Sequence, residues 1–574
     1  MVLGRVANVR SGWKSVFGVL RTAAADAEQN LVSSAFALME RIMLNYFTLI
    51  SNNLAECVTT LGTFAENKFT TISLKAVDYI EKCAGFLATV ENKSKEQDKP
   101  KPDAKEEKNG QLERQTSSED ISSSTSYFPT WMILLQSCRN LVLDSRAPLQ
   151  NRALEMLFDL LTKHGDVFTV SNWEAIFHKV LFPIFNGVGA EAMPTPRPHP
   201  PKTPPPPGAK AVVEPKRASV LNVGAKWLRN MCLKTMAKVV QLFAQYQLKI
   251  NGLLPDLLAL ITSCISQGNL ELAYIGITCW RQLMQLAGEK FDNDNWTLVL
   301  KTLHSLFEQT LPHELQAPRL RKSLGLPAKS PRGAERQKSK SAAANQPNGA
   351  PQRPTSKAQE KALIQTDLLG QSRVMAKCTV HKQILDASYV VFEMYYKKLT
   401  EEHIELMLLA LNSTIEFLSV FNSDTDLRRK LHESGFRNKK GGVFDLIEEE
   451  VEAYAYLLKM LQIMYIGSNP NFNDSKSAEV RLRSMGKKVF VRYKDASENK
   501  GSGDLKSLSS LVCTLVDGFG KYSEEQLKTD MPTFFPDMLE LIETGNLPVR
   551  RSIAQFIKKK LTPLLPFKIP TESD

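Results

Sequence analysis

The sequence lacks the short motifs that would indicate an enzyme. None of the patterns G-x-x-x-x-G-K-[ST], G-x-G-x-x-G, H-E-x-x-H or G-x-S-x-G occurs in its 574 residues, so nothing indicates a phosphate-cradling loop, a zinc protease or a serine hydrolase of those types. Gly501-Ser502-Gly503 is the nearest approach to a phosphate loop. It stands in a polar stretch with no strand before it, and we interpret it as an ordinary loop.

Histidine is also scarce, with eight in the chain. His164 and His178 flank one predicted helix pair, and His304 and His313 lie near the end of another. Neither pair has a further histidine or cysteine at metal-ligand spacing. We therefore predict structural or solvated histidines, with no catalytic, cofactor-binding or metal-binding residue and no enzymatic activity in this chain.

The eight cysteines include no C-x-x-C pair. Cys232 and Cys279 fall on apolar helical stripes, where cysteine acts as a small hydrophobic residue. This usage is typical of a reduced, cytoplasmic protein rather than of a disulfide framework. No run reaches the ~18 apolar residues of a membrane-spanning helix. The first residues lack the apolar block of a signal peptide, so we expect no secretion.

Positive charge is concentrated in one segment. The net charge is +12, and residues 319–361 contain eleven Lys/Arg against two acidic residues, which leaves about +3 for the rest. No aromatic side chain that could stack on bases lies there, so contact with an anionic membrane or a partner is favoured over specific nucleic-acid binding. A solvated linker is the simplest interpretation, and Ser330-Pro331 suits regulatory phosphorylation.

Composition divides the chain into helical blocks and polar linkers. The segments 91–126, 190–218 and 319–361 are too polar or too rich in proline to offset the entropy of ordering, and we predict that they are disordered. The blocks 1–90, 127–189, 219–318 and 362–574 read as helix throughout. For example, Leu154, Leu157, Leu160 and Leu161 recur at helical spacing, and His164-Gly165 resembles a C-terminal glycine cap.

An internal repeat sharpens the fold prediction. Gly165, Phe168, Trp173, Phe177 and Val180 have the same spacing as a second set, which consists of Gly288, Phe291, Trp296, Leu300 and Leu303. The predicted unit is a helix, a glycine stop, a turn anchored by phenylalanine, and a second helix opened by tryptophan. Such a pair cannot bury both apolar faces alone, so we predict an all-α, HEAT/armadillo-like solenoid interrupted by disordered linkers.

The tryptophans are interpreted as core anchors and not as a ligand box. They stand at helix starts or on apolar stripes. The Trp-opened half of the unit also occurs alone at Trp13, Phe17 and Leu20. The residues interpreted in this way are Trp13, Trp173, Trp227, Trp280 and Trp296.

Several blocks resemble the large Arf guanine-nucleotide exchange factors, most closely the brefeldin A-inhibited, trans-Golgi class. The similarity follows the family's order over almost the whole chain, apart from the polar inserts. The blocks are Asn8 to Phe17, Trp173 to Phe185, Leu270 to Ala273, Gly288 to Phe291 with Trp296, Thr310 to His313, Lys377 to Val380, Phe421 to Phe436 and Leu547 to Arg551.

The resemblance implies a non-catalytic region downstream of the family's exchange domain, whose glutamate-bearing motif has no counterpart here. It implies roles in partner binding, membrane recruitment and control of exchange in Golgi vesicle trafficking, with Arf-family or related small GTPases as partners and a cytoplasmic location on Golgi or trans-Golgi membranes. Homodimerisation stays open. The alternative is a helical-repeat adaptor or transport receptor unrelated to nucleotide exchange, and an enzyme that uses the solenoid as a platform is a weaker rival.

Overall fold

The computed structural model describes part of the chain. The described residues are 12–97, 127–186, 231–267, 269–317, 320, 324, 326, 357–438, 441–471, 475–498 and 505–564, and over 92–97 and 357–369 the backbone alone is described. They form two compact units, residues 1–260 and 261–574.

Helices make up nearly all of the described part of the first unit. The helices, in chain order, are α1 (Trp13–Ala24), α2 (Gln29–Asn45), α3 (Leu54–Glu66), α4 (Thr70–Gln97), α5 (Phe128–Val142), α6 (Ala147–His164), α7 (Val170–Ile176) and α8 (Leu233–Ile250). The next helix, α9 (Leu254–Ile265), runs across the boundary between the units.

The described part of the second unit is built in the same way. Its helices are α10 (Leu270–Ala287), α11 (Asn293–Thr310), α12 (Lys357–Tyr395), α13 (Glu401–Asn422), α14 (Thr425–Glu433), α15 (Ile447–Ile466), α16 (Ser475–Glu498), α17 (Leu505–Phe519), α18 (Glu524–Glu543) and α19 (Leu547–Phe556). The described residues contain no β-strand, and one isolated bridge joins Arg437 and Val443.

Helix packing within each unit has the pattern of stacked hairpins. In the first unit α3 packs against α4, its neighbour along the chain, and also against α1 and α5 on either side. In the second unit α15 packs in the same way against α16, α13 and α17. Contacts with the next helix and the next but one are what a stack of helix pairs requires, because each pair buries its second apolar face on its neighbour. The predicted all-α, helical-repeat fold is confirmed.

The predicted repeat unit is also present at the predicted residues. Short 3₁₀ turns (Gly165–Val167 and Gly288–Lys290) join α6 to α7 and α10 to α11. The apolar stripe of α8 is buried along its length: Met231, Cys232, Thr235, Met236, Val239, Leu242, Phe243 and Tyr246. Trp227, predicted on the same stripe, lies outside the described residues.

Two helix ends owe their shape to proline. After α7 the chain forms a π-helical turn (Phe177–Leu181) and a 3₁₀ turn (Phe182–Phe185). Pro183 has no N–H, so the carbonyl of Lys179, four residues earlier, loses its helical partner. The Arg139 Nη1 donates to that carbonyl at 3.1 Å. The same sequence of turns follows α19, with Ile557–Leu561, Thr562–Leu564 and Pro563.

The predicted linkers fall largely outside the described residues. Two helices overlap their ends: α4 continues to Gln97, inside the linker predicted at 91–126, and α12 begins at Lys357, inside the linker predicted at 319–361. Residues 98–126, 190–218 and most of 319–356 lie outside the described part of the chain.

Two helical stretches, 233–265 and 401–422, are long and apolar enough to cross a membrane by length and composition. Core helices of soluble proteins pass the same test. In 401–422 the side chains of His403, Thr414 and Asn422 are buried within the described structure, and all three make hydrogen bonds there. This helix therefore behaves as a core helix of the stack.

Candidate functional site

The histidines singled out by the sequence are dispersed. Half-buried His164 lies beside the Trp131 ring, and burial together with Lys163 lowers the pKa of its imidazole. His178 Nε2 lies 3.5 Å from Asp256 Oδ2, with both side chains half-exposed. His313 Nε2 contacts the carbonyl of Glu308 at 3.1 Å. Within the described residues no group of three His, Cys, Asp or Glu side chains could hold a metal ion.

Two histidines that the sequence interpretation passed over are better placed, but both are structural. His381 is buried between two helices: its Nδ1 lies 2.9 Å from Thr310 Oγ1 and its Nε2 lies 3.2 Å from Thr414 Oγ1. Burial lowers the pKa of His381 to about 3, so the imidazole is neutral at physiological pH. His403 completes the N-terminal capping box of α13 with Thr400.

All eight cysteines lie in the described part of the chain, and none forms a disulfide. Seven are buried, and Cys513 is partly exposed. Burial raises the pKa of the Cys279 thiol to about 12, so it stays protonated. These thiols are therefore packing residues, as predicted for Cys232 and Cys279, and they are poor nucleophiles.

The tryptophans anchor the core. Trp13, Trp173, Trp280 and Trp296 are buried. The first repeat forms a joint that we define by Gly165, Phe168, Trp173 and Tyr246. The ring of Trp173 packs edge-on against the ring of Phe168, with the centroids 5.5 Å apart. It also packs against the tilted ring of Tyr246 of α8, with the centroids 4.8 Å apart. The Tyr246 hydroxyl donates to the carbonyl of Thr162 at 2.9 Å, so α8 is fastened to the end of α6.

The second joint, formed by Gly288, Phe291, Trp296 and Tyr395, has the same arrangement. The ring of Trp296 packs edge-on against the ring of Phe291, with the centroids 5.4 Å apart. It also packs against the tilted ring of Tyr395 of α12, with the centroids 4.8 Å apart. The Tyr395 hydroxyl donates to the carbonyl of Met284 at 2.7 Å. In both joints a lysine lies three residues after the tyrosine, and an acidic residue directly follows the glycine. These two side chains form an ion pair, Lys249 with Asp166 in the first joint and Lys398 with Glu289 in the second.

The joints correct the interpretation of Gly165 as a conformational cap. Its φ is −62° and that of Gly288 is −57°, values that any residue adopts. Glycine is required for space: a Cβ on Gly288 would lie 2.7 Å from Cζ of Tyr395, and one on Gly165 would lie closer still to Tyr246. Positive φ occurs instead at Gly435 and Gly441.

A polar cavity in the second unit is the best candidate for a ligand or partner contact. It has a volume of about 280 Å³ between α13, α15, α16 and α17. Hydroxyl, amide and cationic groups line it beside a few apolar side chains: Ser419, Asn422, Ser423, Ile447, Tyr454, Lys488, Val489, Arg492 and Leu511.

A buried carboxylate holds this cavity together. Glu450 is fully buried, and Arg492 donates to both of its oxygens, with Nη2 2.9 Å from Oε2. Asn422 Nδ2 donates to the same Oε2 at 2.7 Å, while Asn422 Oδ1 accepts from the N–H of Leu446 at 2.9 Å. The two charges and the amide therefore satisfy one another, as buried charges must.

Two cations line the cavity, and one of them, Arg492, is already neutralised by Glu450. The other, Lys488, is exposed at its rim. No nucleophile is paired with a general base among the lining residues, so we assign no reaction to it. The sequence interpretation missed Glu450 and Arg492, because a Glu448-Glu449-Glu450 run normally marks a solvated helix face.

Two family models match parts of the chain. Residues 379–558, which include the cavity, match the model described as the BIG2 C-terminal domain. Residues 1–41 match the model described as Mon2/Sec7/BIG1-like, HDS.

Alignment over nearly the whole of this chain finds similarity to the same group of proteins. The chain is 27% identical over 585 residues to brefeldin A-inhibited guanine nucleotide-exchange protein 3 of Arabidopsis thaliana, with 98% of this chain and 31% of that protein covered. By sequence, the chain is similar to one part of the brefeldin A-inhibited guanine nucleotide-exchange proteins. The human exchange protein 1 is 21% identical, with 96% and 30% covered. The chain thus spans less than a third of these exchange proteins, and the predicted resemblance is confirmed.

Solved structures add less. A circular tandem repeat protein aligns over 95% of this chain and 94% of its own, at 12% identity and a TM-score of 0.25. Kap121p aligns over 96% and 49%, at 10% identity and a TM-score of 0.18. Scores this low establish no shared arrangement, and the fold assignment rests on the helix pairs themselves.

Proposed function

We propose that this chain is a non-catalytic regulatory and scaffold region of a large Arf guanine-nucleotide exchange factor. The observation that carries the proposal is the alignment of 98% of the chain with an exchange protein that is about three times longer. In such a protein the exchange step would belong to a separate domain, and this region would bind partners and control where exchange occurs.

The architecture suits that role. Stacked helix pairs expose long surfaces that hold other proteins, and the described residues offer buried histidines, protonated thiols and no metal cluster. The partners proposed are Arf-family or related small GTPases, and the location proposed is the cytoplasmic face of Golgi or trans-Golgi membranes. The basic segment 319–361 would add attraction to anionic lipid, and homodimerisation is a further arrangement to test.

The first experiment is a pull-down of the purified chain with Arf-type GTPases locked in the GTP or the GDP state. Selective capture of the GTP-locked form supports recruitment and feedback by this region. Equal capture contradicts selective recognition of the activated GTPase, and no capture contradicts GTPase recognition altogether. Either result favours a helical-repeat adaptor that is unrelated to exchange.

The polar cavity supplies a matched pair of variants for the same assay. Lys488 lines the cavity and Lys487 does not, and both are exposed on α16. If an acidic side chain of the GTPase enters the cavity, Lys488→Glu lowers capture at least tenfold, whereas Lys487→Glu leaves it unchanged. Equal losses from both variants would show that the cavity is not the contact.

A further inference from the structure

The last described helix carries an unusual concentration of unpaired positive charge. Five basic residues lie between Arg550 and Lys560, and no acidic residue occurs between Glu543 and Glu572. Val549, Ile553 and Phe556 bury the inner face of α19. The exposed side consists of Leu547, Arg550, Arg551, Ala554, Gln555, Lys558 and Lys559, which we call the α19 basic face.

The cations of the α19 basic face have no ion-pair partner within the described residues. Elsewhere on the second unit several cations are paired with carboxylates, while others, such as Lys476 and Lys487, are exposed and isolated in the described structure. On α16, for example, Arg481 pairs with Glu405, Arg483 with Asp530 and Lys494 with Glu540. The concentration of cations on the α19 basic face is informative because unpaired like charges on one face repel each other and lower the stability of the fold.

The helix dipole does not account for this charge pattern. Lys558 and Lys559 lie in the π-helical turn that follows α19, where cations interact favourably with the partial negative charge at the helix C-terminus. Arg550 and Arg551 lie instead near the N-terminal end of α19, where that dipole disfavours cations. Cations therefore stand at both ends of the face, and Arg550 and Lys559 are about 14 Å apart along the helix axis.

The shape of the face points to a spread-out anionic partner. The adjoining depression has a volume of about 180 Å³, and Asp517 lines it together with Lys559 and Lys560. That carboxylate would repel a single anion seated in the depression. Exposed Leu547 and Pro563 flank the cations at either end. An exposed row of lysines and arginines with apolar flanks suits the surface of a bilayer that contains anionic lipid.

We propose that the α19 basic face docks onto an anionic lipid surface. The proposal deepens the membrane recruitment named above by assigning it to a folded surface, in addition to the segment 319–361. The lipid proposal does not depend on GTPase binding, because the vesicle assay contains no GTPase and the GTPase pull-down contains no vesicles. Failure of either experiment therefore leaves the other interpretable.

The test is co-sedimentation of the full chain with phosphatidylcholine vesicles that contain about 30% phosphatidylserine. Each basic residue near such a surface strengthens binding about fivefold. Arg550→Gln/Arg551→Gln and Lys558→Gln/Lys559→Gln should therefore each weaken partitioning by about 25-fold. The matched control is Lys476→Gln/Lys487→Gln, which removes the same charge from exposed positions of α16 outside the polar cavity and should leave partitioning unchanged.

The segment 319–361 is identical in all variants, so the ratio between variants reports on α19 alone. Equal losses from the α19 and control pairs, or no loss from the α19 pairs, would overturn the proposal. No binding by the unaltered chain would overturn it too. Capture of a poly-glutamate peptide without vesicle binding would replace the lipid surface with an acidic protein. Unchanged thermal melting of each variant shows that the fold is intact.

Discussion

The two joints bury the same four residue types in the same arrangement, yet they differ in their polar contacts. In the first joint the indole N–H of Trp173 donates to the carbonyl of Gly165 at 3.2 Å. In the second joint the indole nitrogen of Trp296 is buried and has no hydrogen-bond partner among the described residues. The arrangement of rings survives this difference. Ring packing against glycine, rather than the indole hydrogen bond, therefore defines the joint.

The helix that each tryptophan opens also differs between the two joints. In the second joint α11 continues for 18 residues to Thr310. In the first, α7 has seven residues and gives way to the turns around Pro183. The joint thus tolerates a change in the length of the helix after it, because its contacts lie within the first turn of the tryptophan-bearing helix.

Removing the tryptophans should break both joints. Trp173→Ala and Trp296→Ala each delete a fully buried ring, and we expect a loss of about 3–5 kcal/mol in the free energy of unfolding of the affected unit. Hydrogen–deuterium exchange of α6 to α8 and of α10 to α12 reads the two losses separately. Loss of protection in the unaltered unit would contradict a local role for the joint.

Replacing the glycine of each joint with alanine should show whether glycine is needed there for space or for its backbone conformation. We expect Gly165→Ala and Gly288→Ala to cost about 1–3 kcal/mol, since the new Cβ collides with a tyrosine ring. The control is Gly85→Ala in α4, where the added Cβ meets nothing within 4 Å and should stabilise the helix by about 0.5–1 kcal/mol. Urea unfolding of each variant checks the sign. A cost that persists in a Tyr246→Leu background would contradict the steric explanation.

Acid should destabilise the region around His381 more than the region around the first joint. The pKa of His381 is about 3 in the folded chain and 6.5 in the unfolded chain. Stability from this group is therefore complete above pH 6.5 and falls as the pH drops from 6.5 towards 3, by about 2 kcal/mol at pH 5. Half-buried His164, near the first joint, has a pKa shifted in the same direction with far less burial, so its effect is smaller.

Exchange measured at pH 7.5 and pH 5 should show the larger loss around α11, α12 and α13. A His381→Gln variant removes the titrating group and should flatten that pH dependence. An undiminished acid effect in the variant would assign it to other groups.

The smallest expected difference concerns the indole hydrogen bond. Trp173→Phe loses that bond as well as part of the ring, whereas Trp296→Phe loses ring volume alone. We therefore expect Trp173→Phe to be the more costly by about 1 kcal/mol. Unfolding free energies of the two variants, compared directly, provide the measurement, and an equal cost would mean that the Trp173 bond contributes nothing net.

The helix pairs of the joints follow from their sequence, but the joints themselves do not. The spacing from Gly165 to Trp173 repeats between Gly288 and Trp296, so the turn and the second helix were predictable. The contacts of Tyr246 and Tyr395 across the joints were missed because their hydroxyls donate to carbonyls 84 and 111 residues earlier. Different lengths of chain separate the partners, and no fixed period can relate them.

The polar cavity was unpredictable for a related reason. Glu450 and Arg492 lie on different helices and look solvated when each is viewed alone. Only packing of α13, α15 and α16 reveals that the Glu450 carboxylate is wholly buried, that Arg492 of α16 neutralises it and that Asn422 of α13 donates a hydrogen bond to it. Local pattern therefore identifies helices and their inner faces, while a buried charge pair depends on which helices become neighbours.

The collision distance at each glycine has a consequence for how this sequence can diverge. Positions 165 and 246 share one volume, as do 288 and 395, so a substitution at one member is tolerated only when the other changes size in the opposite direction. Among homologues these positions should covary as pairs, with a larger residue in place of glycine accompanied by a smaller one in place of tyrosine. Lineages that keep both glycines should keep both tyrosines, however long the segments between them become.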